Sequence, residues 1–122
     1  MFQVSVRQHF DAAHYLRGYK GKCENLHGHR FEVVARVDAE KLDDKGLAFD
    51  FVELKDCVRE ITGKLDHTCI NDLPYFSKNN ASSENIALLI FNGLAERLKG
   101  KPVKLASVEV WESPENCITY TP

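Results

Sequence analysis

The chain has 122 residues, of which 43% are hydrophobic and 28% are charged, and its formal net charge is -2. This composition excludes a disordered or membrane-spanning chain, and no basic stripe is present that would follow a nucleic-acid backbone. We therefore expect one soluble domain over residues 1–122, with neither nucleic acid nor a membrane as its partner.

The cysteines and the N-terminus indicate the compartment. Four cysteines are scattered without a CxxC pair, and a chain of this length can fold without disulfides, so we expect free thiols. The first ten residues, MFQVSVRQHF, lack the basic region and cleavage site of an export signal. Both features favour a cytoplasmic protein.

The first half of the chain is predicted to form two strands and a helix. Residues 2–10 and 29–38 are rich in β-branched and aromatic residues and partly alternate in polarity, which predicts two strands. The turn-rich segment RGYKGKCENLHG joins them. In DFVELKDCVREITGKL, apolar residues recur every three or four positions and acidic residues come early, which predicts an amphipathic helix.

The second half is predicted to form a helix and two strands. Ser82 or Ser83 can cap the helix in SENIALLIFNGLAERLKG, and Gly100 follows its end. VKLASVEVWES and NCITYTP are predicted strands joined by a turn at residues 114–116. The whole order predicts an α+β fold, an antiparallel four-stranded sheet (ββααββ) with both helices on one face. Neither sheet face is wholly polar in sequence, so we expect subunits to associate.

The stretch CENLHGHRFEV contains the main metal signal. His27 and His29 lie two residues apart on a predicted strand, so both imidazoles point to the same side, and Gly28 leaves room between them. His14, in FDAAH, is the best third candidate because pairing of the first two strands would bring it close. Three neutral imidazoles favour zinc (Zn2+), with an open position for water or substrate. Taken singly, each histidine is more often a hydrogen-bonded structural residue.

The loop that ends at Cys23 has several interpretations from its residues alone. Cys23 can be a fourth zinc ligand, a thiolate base or nucleophile whose pKa a nearby cation lowers, or an inert thiol. Arg17, Lys20 and Lys22 can bind phosphates, although an ordinary solvated loop is more common.

Two further polar features are candidates for proton transfer and ring binding. Asp66 can orient the imidazole of His67 as a proton relay, although adjacent Asp-His pairs are also common in surface turns. Glu112 ends a predicted strand and can accept paired N–H groups from a guanidine-like heterocycle, although most strand-end glutamates are merely solvated.

Six segments, FDAAH, CENLHGHRFEV, GLAFDFVELK, LDHTCIND, SSENIA and VEVWES, occur in this order across nearly the whole chain. Together they resemble the family of 6-pyruvoyltetrahydropterin and 6-carboxytetrahydropterin synthases. The resemblance implies the tunnelling fold, in which sheets of several subunits join into a barrel and two such rings stack, commonly as a homohexamer (a dimer of trimers). It also implies active sites between subunits and a small-molecule pterin triphosphate as substrate.

The resemblance implies a role for each matching residue. The implied zinc ligands are His14, His27 and His29. The implied catalytic residues are Cys23, Asp66 and His67, the last two reaching Cys23 from a neighbouring subunit. The implied pterin anchor is Glu112, and Ser82, Ser83 and Glu84 are similar to the family's TTEN or TSEN segment near the pterin pocket.

The spacing of Cys23 and His27 bears on the branch of the family. The four-residue spacing is similar to that of the bacterial 6-carboxytetrahydropterin synthases of queuosine (7-deazaguanine) biosynthesis, whereas pyruvoyl-forming relatives carry a longer CNNPNGHGH-like insert. The resemblance therefore implies a zinc-dependent lyase that converts 7,8-dihydroneopterin triphosphate to 6-carboxy-5,6,7,8-tetrahydropterin, acetaldehyde and triphosphate.

Several alternatives stay open at this point. The segment DLPYF is more similar to the pyruvoyl-forming branch, so a 6-pyruvoyltetrahydropterin synthase is the main alternative. A lyase or aldolase that needs no triphosphate is another. Outside the enzymes, a zinc-stabilised assembly module is possible, but it gives no role to Asp66, His67 or Glu112.

Overall fold

A computed structural model describes all residues, Met1–Pro122. Its strands and helices are, in chain order, β1 (Phe2–His14), β2 (His27–Ala39), α1 (Phe51–Thr62), β3 (Thr68–Cys69), α2 (Ser83–Arg97), β4 (Lys104–Ser113) and β5 (Asn116–Tyr120). Short 3-10 helices lie at Lys22–Glu24, Ile70–Asp72 and Pro74–Ser77. None of the helices has the length and apolar character needed to cross a bilayer.

The strands form one sheet in the order β3-β1-β2-β4-β5. β1 and β2 pair antiparallel along their whole length, from Phe2 with Ala39 to His14 with His27. The predicted α+β class is confirmed. The sheet differs from the predicted four strands by β3, which has two residues and pairs in parallel with β1. Two residues are too few to show any periodicity in the sequence.

Both helices pack on one face of the sheet, and the hydrophobic core lies between the layers. Strand side chains alternate between faces, and the alternate residues Phe10, Phe31 and Val33 are buried there. Of the apolar residues whose spacing predicted α1, Leu54, Val58 and Ile61 are buried, whereas Phe51 at its first position is exposed. Asp50 caps α1 and Ser82 caps α2 through their side chains. The sequence pattern and the core therefore agree.

The opposite face of the sheet is mostly polar. Cross-strand ion pairs cover it, namely Arg7–Glu32, Arg30–Asp11 and Arg36–Glu109. Trp111 also belongs to this face, and its indole N–H donates to Glu109 at 3.0 Å. The helix-free face thus consists chiefly of paired charges, which is more polar than the sequence alone indicated.

Candidate metal centre and active-site cleft

Three imidazoles meet where β1 ends and β2 begins. His14 lies opposite His27 in the strand pairing, and His29 follows two residues later on the same face. The ring centroids of His14 and His27 are 4.5 Å apart, and those of His27 and His29 are 4.8 Å apart. Both strands extend beyond their predicted ends, and this extension brings the three rings together.

Glu112 of β4 joins this group, which we call the histidine cluster (His14, His27, His29 and Glu112). The ligand atoms of all four side chains lie within 4.8 Å of one another. The Oε1 atom of Glu112 is 3.2 Å from Nε2 of His14 and 3.0 Å from Nε2 of His29. Because β4 pairs with β2 far away in sequence, the contact of Glu112 with the histidines was not predicted.

Backbone carbonyls hold the outer nitrogens of two of the rings. Nδ1 of His14 lies 2.7 Å from the carbonyl oxygen of Ala81, and Nδ1 of His27 lies 2.6 Å from that of Asn25. Since a carbonyl only accepts hydrogen bonds, we assign the ring proton to Nδ1 in both residues. Each Nε2 then directs a lone pair into the cluster, as in metal-binding histidines.

The surroundings of the His29 ring show whether a metal ion fits the histidine cluster. Nε2 of His29 is buried without a hydrogen-bond partner, since its contact with Glu112 lacks the geometry of a hydrogen bond. Burial, as the largest cause, lowers the pKa of His29 and so favours the neutral, metal-binding form. An unpaired buried nitrogen costs about 1–3 kcal/mol, which a bound cation would offset. The donor set of three imidazoles beside a carboxylate fits zinc.

Glu112 is ionised in this setting. Without a bound cation, a His14 ring protonated on both nitrogens donates from Nε2 to Oε1 of Glu112. This hydrogen bond is the largest of the causes that lower the pKa of Glu112 to about 2, against the opposing effect of burial. The Ser83 hydroxyl donates to Oε2 of Glu112 at 3.1 Å. A carboxylate so placed has two possible roles: a fourth metal ligand, or an anchor for a substrate beside an open metal position.

A cleft of about 170 Å³ opens beside the histidine cluster. Its lining includes the predicted site residues His14, Cys23, Ser82, Ser83, Glu84 and Glu112. The sulfur of Cys23 is not among the ligand atoms of the cluster, so Cys23 faces the cleft without joining the metal-binding group. Asn116 and Cys117 of β5 also line the cleft. The sequence analysis missed them because nothing in their spacing marks a site.

The side chain of Arg17 is engaged in hydrogen bonds with the segment that precedes α2. Its guanidinium donates to the carbonyl oxygens of Phe76 and of Asn79, the latter at 3.1 Å. Lys20 and Lys22 are exposed on the same loop. Of the three basic residues considered for phosphate binding, the two lysines are therefore the better candidates.

Asp66 and His67 contact each other at the β3 edge of the sheet. Oδ1 of Asp66 accepts from the amide of Asp11 at 2.8 Å, and Oδ2 lies 2.9 Å from Nδ1 of His67. The backbone amide of Asp11 is the largest of the causes that lower the pKa of Asp66, followed by the His67 side chain. Neither residue lines the cleft that contains Cys23. Within one chain the proposed catalytic residues are thus in two separate places.

Known proteins resemble this chain in both sequence and structure. A putative 6-carboxy-5,6,7,8-tetrahydropterin synthase of Archaeoglobus fulgidus is 37% identical over 107 residues, covering 87% of this chain and 88% of its own. A dihydroneopterin monophosphate aldolase of Pyrococcus furiosus is 35% identical and covers 93% and 91%. The structure of Caenorhabditis elegans 6-pyruvoyl tetrahydropterin synthase superimposes with a TM-score of 0.87 at 27% identity, covering 99% of this chain and 95% of that one.

The fold and the site define the class, an α+β chain with the tunnelling fold whose histidine cluster can bind a metal ion beside a cleft. Residues 3–122 match the family described as 6-pyruvoyl tetrahydropterin synthase. The chain belongs to this family, and the resemblance noted in its sequence is confirmed. The relatives named above carry three different activities, so membership supports pterin chemistry without fixing the reaction.

Proposed function

We propose that the chain is a zinc-dependent carbon-carbon lyase that converts 7,8-dihydroneopterin triphosphate and water to 6-carboxy-5,6,7,8-tetrahydropterin, acetaldehyde and triphosphate, as a step of queuosine biosynthesis. The observation that carries this proposal is the convergence of three Nε2 atoms and Glu112 beside a cleft that also contains Cys23. The four-residue spacing of Cys23 and His27 supports the carboxy-forming branch, as does the similarity to the Archaeoglobus relative named for that activity.

The side chains divide the chemistry as follows in this proposal. When bound by His14, His27 and His29, zinc supplies Lewis-acid stabilisation of negative charge that develops on substrate oxygens. The Cys23 thiolate takes a proton from the substrate side chain. His67 returns or relays protons. Asp66 contacts Nδ1 of His67 and so holds the ring in one orientation for this transfer.

We assign binding of the pterin ring to Glu112 and to the residues at the start of α2. Glu112 accepts paired N–H groups of the pterin, and a fixed ring keeps the reacting carbon near the thiol of Cys23. Ser82, Ser83 and Glu84 lie at the start of α2 and line the same cleft. We propose that this segment contacts the pterin.

The separation of Cys23 from Asp66 and His67 supports a site shared between subunits. The cleft reaches β5 at one edge of the sheet, whereas Asp66 and His67 lie beside β3 at the other edge. Unpaired strand edges favour pairing with another chain, and head-to-tail contacts of this kind generate rings. We propose that β5 of one subunit joins the β1–β3 edge of the next, and that two such rings form a hexamer.

Product analysis tests the proposed reaction. The zinc-loaded protein is incubated with 7,8-dihydroneopterin triphosphate, and both the pterin and the carbonyl fragment are identified. We expect 6-carboxytetrahydropterin together with acetaldehyde. A 6-pyruvoyl product without acetaldehyde would instead establish the pyruvoyl-forming alternative, because that reaction retains the side-chain carbons.

A second candidate function is an aldolase that needs no triphosphate. The Pyrococcus furiosus relative, at 35% identity, is named a dihydroneopterin monophosphate aldolase. Comparing triphosphate, monophosphate and unphosphorylated dihydroneopterin as substrates separates the two. The proposed lyase should act on the triphosphate alone, whereas turnover of the shorter forms would favour the aldolase.

The non-enzyme alternative, a zinc-stabilised assembly module, is tested by chelation. A cluster of 25 buried hydrophobic residues forms the core between the sheet and the helices, and of the histidine cluster only His14 is buried, with its ring edge-on to Phe31. We therefore expect the chelated protein to keep its far-ultraviolet circular dichroism while its activity is lost. Unfolding on chelation, with no turnover of any pterin by the zinc-loaded form, would favour the module.

A further inference from the structure

The chain between β1 and the Lys22–Glu24 turn has no strand partner, yet asparagine side chains pair with its backbone. The amide of Asn71 accepts from the Tyr15 N–H at 3.0 Å and donates to the Tyr15 carbonyl at 3.0 Å. The amide of Asn80 does the same at Arg17, at 2.9 Å and 3.0 Å. Each asparagine side chain thus makes the two backbone hydrogen bonds that a neighbouring strand would make. Both asparagines lie outside the segment of residues 15–17 that they hold.

The residue between these two anchored peptides contacts Cys23. The Leu16 N–H donates to the carbonyl oxygen of Cys23 at 2.7 Å, and both residues line the cleft. The 3-10 turn that carries Cys23 contains no buried residue. The other backbone hydrogen bonds of this turn stay within residues 21–25, so the bond from Leu16 is the backbone hydrogen bond that connects Cys23 to the segment after β1.

Asn80 also belongs to the segment that orients a metal ligand. Its neighbour Ala81 supplies the carbonyl that accepts from Nδ1 of His14 at 2.7 Å. The Asn85 side chain, in the first turn of α2, donates to the carbonyl of Asn80 at 2.9 Å. One short segment therefore fixes His14 through its backbone and the approach to Cys23 through its side chain.

We propose that Asn80 is a positioning residue for the reaction: its amide holds the Arg17 peptide, which keeps the Leu16–Cys23 hydrogen bond in place and sets the thiol beside the metal centre. Asn71 supports the same segment from Tyr15. The inference rests on the proposed function only in giving Cys23 a chemical role. The placement of the thiol stands on the contacts alone.

The experiment compares zinc-loaded wild type and Asn80→Ala in three measurements. In the variant, hydrogen exchange of the Leu16 amide should become about tenfold faster, because the backbone next to this donor is no longer held at Arg17. The alkylation rate of Cys23 by iodoacetamide should change relative to that of Cys117, a thiol of the same cleft that serves as internal reference. The kcat should fall about ten- to hundredfold with little change in KM, since the ring site is intact.

Asn79→Ala is the matched control. Asn79 is the preceding residue and is equally half-buried, and its side chain donates only to the Tyr75 carbonyl at 2.8 Å. This variant should keep wild-type exchange, alkylation and kcat. Asn80→Asp retains the acceptor toward the Arg17 N–H but loses the donor, so it should give intermediate values. It replaces the alanine variant if that one fails to fold.

The outcomes separate this inference from the proposed function. Wild-type Leu16 exchange and Cys23 alkylation in Asn80→Ala would overturn the inference, and so would an unchanged kcat in an otherwise active enzyme. Zinc content should equal that of the wild type, because the Ala81 carbonyl remains, and zinc loss would reassign Asn80 to the metal centre. If the wild type turns over no pterin, the proposed function fails, but exchange and alkylation still decide whether Asn80 places the thiol.

Discussion

The histidine cluster and the Asp66–His67 pair place the same kind of side chain in opposite surroundings. His14 is 2% exposed, and its ring is fixed by neighbouring rings and a backbone carbonyl, whereas the His67 side chain is 79% exposed. Burial suits a ligand whose lone pair must stay in one place. Exposure suits a proton carrier whose target lies on another chain, as we propose for His67.

The exposed pair is ordered by hydrogen bonds rather than by packing. His67 has a left-handed backbone with φ of 58°, which is uncommon outside glycine. Its N–H donates to the carbonyl of Asp11 at 2.6 Å, while Asp66 accepts from the Asp11 amide. One residue of β1 thus fixes both members. Unfavourable backbone geometry kept by surrounding bonds is typical of functional positions.

The largest expected effect comes from removing a buried ligand. In His29→Ala only two imidazoles remain, so we expect the variant to lose most of its bound zinc and essentially all activity. Asp66→Asn should keep full zinc content. Metal analysis of both purified proteins measures the difference, and full occupancy in His29→Ala would remove this residue from the metal centre.

Removing the exposed imidazole should affect turnover without affecting the metal. For His67→Ala we expect kcat to fall about 10²- to 10⁴-fold, the range typical of a lost general acid or base. Its zinc content should equal that of the wild type. A kcat within twofold of the wild-type value would show that His67 is an ordinary surface residue.

Mixing variants tests the shared site directly. If Cys23 and His67 of different subunits form one site, unfolding and refolding His67→Ala together with Cys23→Ala should restore about a quarter of wild-type activity, by random assortment within a closed ring. The two variants refolded separately are the control. No recovery in the mixture would mean that both residues act within one subunit.

Substitution of Glu112 distinguishes the two possible roles of its carboxylate, pterin anchor and fourth metal ligand. As a pterin anchor, Glu112→Gln should keep zinc and raise KM by about ten- to a hundredfold, because an ionic hydrogen bond contributes about 1.5–3 kcal/mol. As a fourth ligand, the same change should reduce zinc content. Metal analysis and steady-state kinetics on one preparation distinguish the two, with Glu115→Gln, an exposed glutamate of the β4–β5 turn, as control.

The sequence predicted the histidine cluster better than the rest of the site. His14, His27 and His29 could be grouped because strand alternation and a hairpin are local patterns. The contact of Glu112 with them depends on the pairing of β4 with β2, and β3 has only two residues. Long-range pairing leaves no periodic signal, so neither feature was predicted.

For Asp66 and His67, the sequence predicted the contact between the two residues but not how the rest of the chain holds them. Adjacency in sequence predicted that Asp66 would meet His67, and the two contact each other at 2.9 Å. The attachment of both to Asp11 and the left-handed backbone of His67 depend on the β1–β3 edge. The assigned roles of these residues stay predictions, since a role depends on a substrate and a partner subunit.

The smallest expected effect is on stability in acid. The amide of Asp11 and then His67 lower the pKa of Asp66 in the folded chain. The unfolded chain therefore binds this proton at a higher pH, near the ordinary value of about 3.9. The ionised carboxylate stabilises the folded state above that value, and the contribution is lost as pH falls through the lowered pKa.

Urea unfolding of wild type and Asp66→Asn measures this contribution. From about pH 5 downward, the difference in their free energies of unfolding should shrink and then disappear, because the wild-type carboxylate becomes protonated. Asp44→Asn, in an exposed loop, is the matched control for removing one carboxylate. A difference that stays constant down to the lowest pH would mean that Asp66 acts through its shape or its neutral hydrogen bonds rather than through its charge. In that case its orientation of His67 would not require an ionised carboxylate, and the contrast between the buried and exposed clusters would rest on geometry alone.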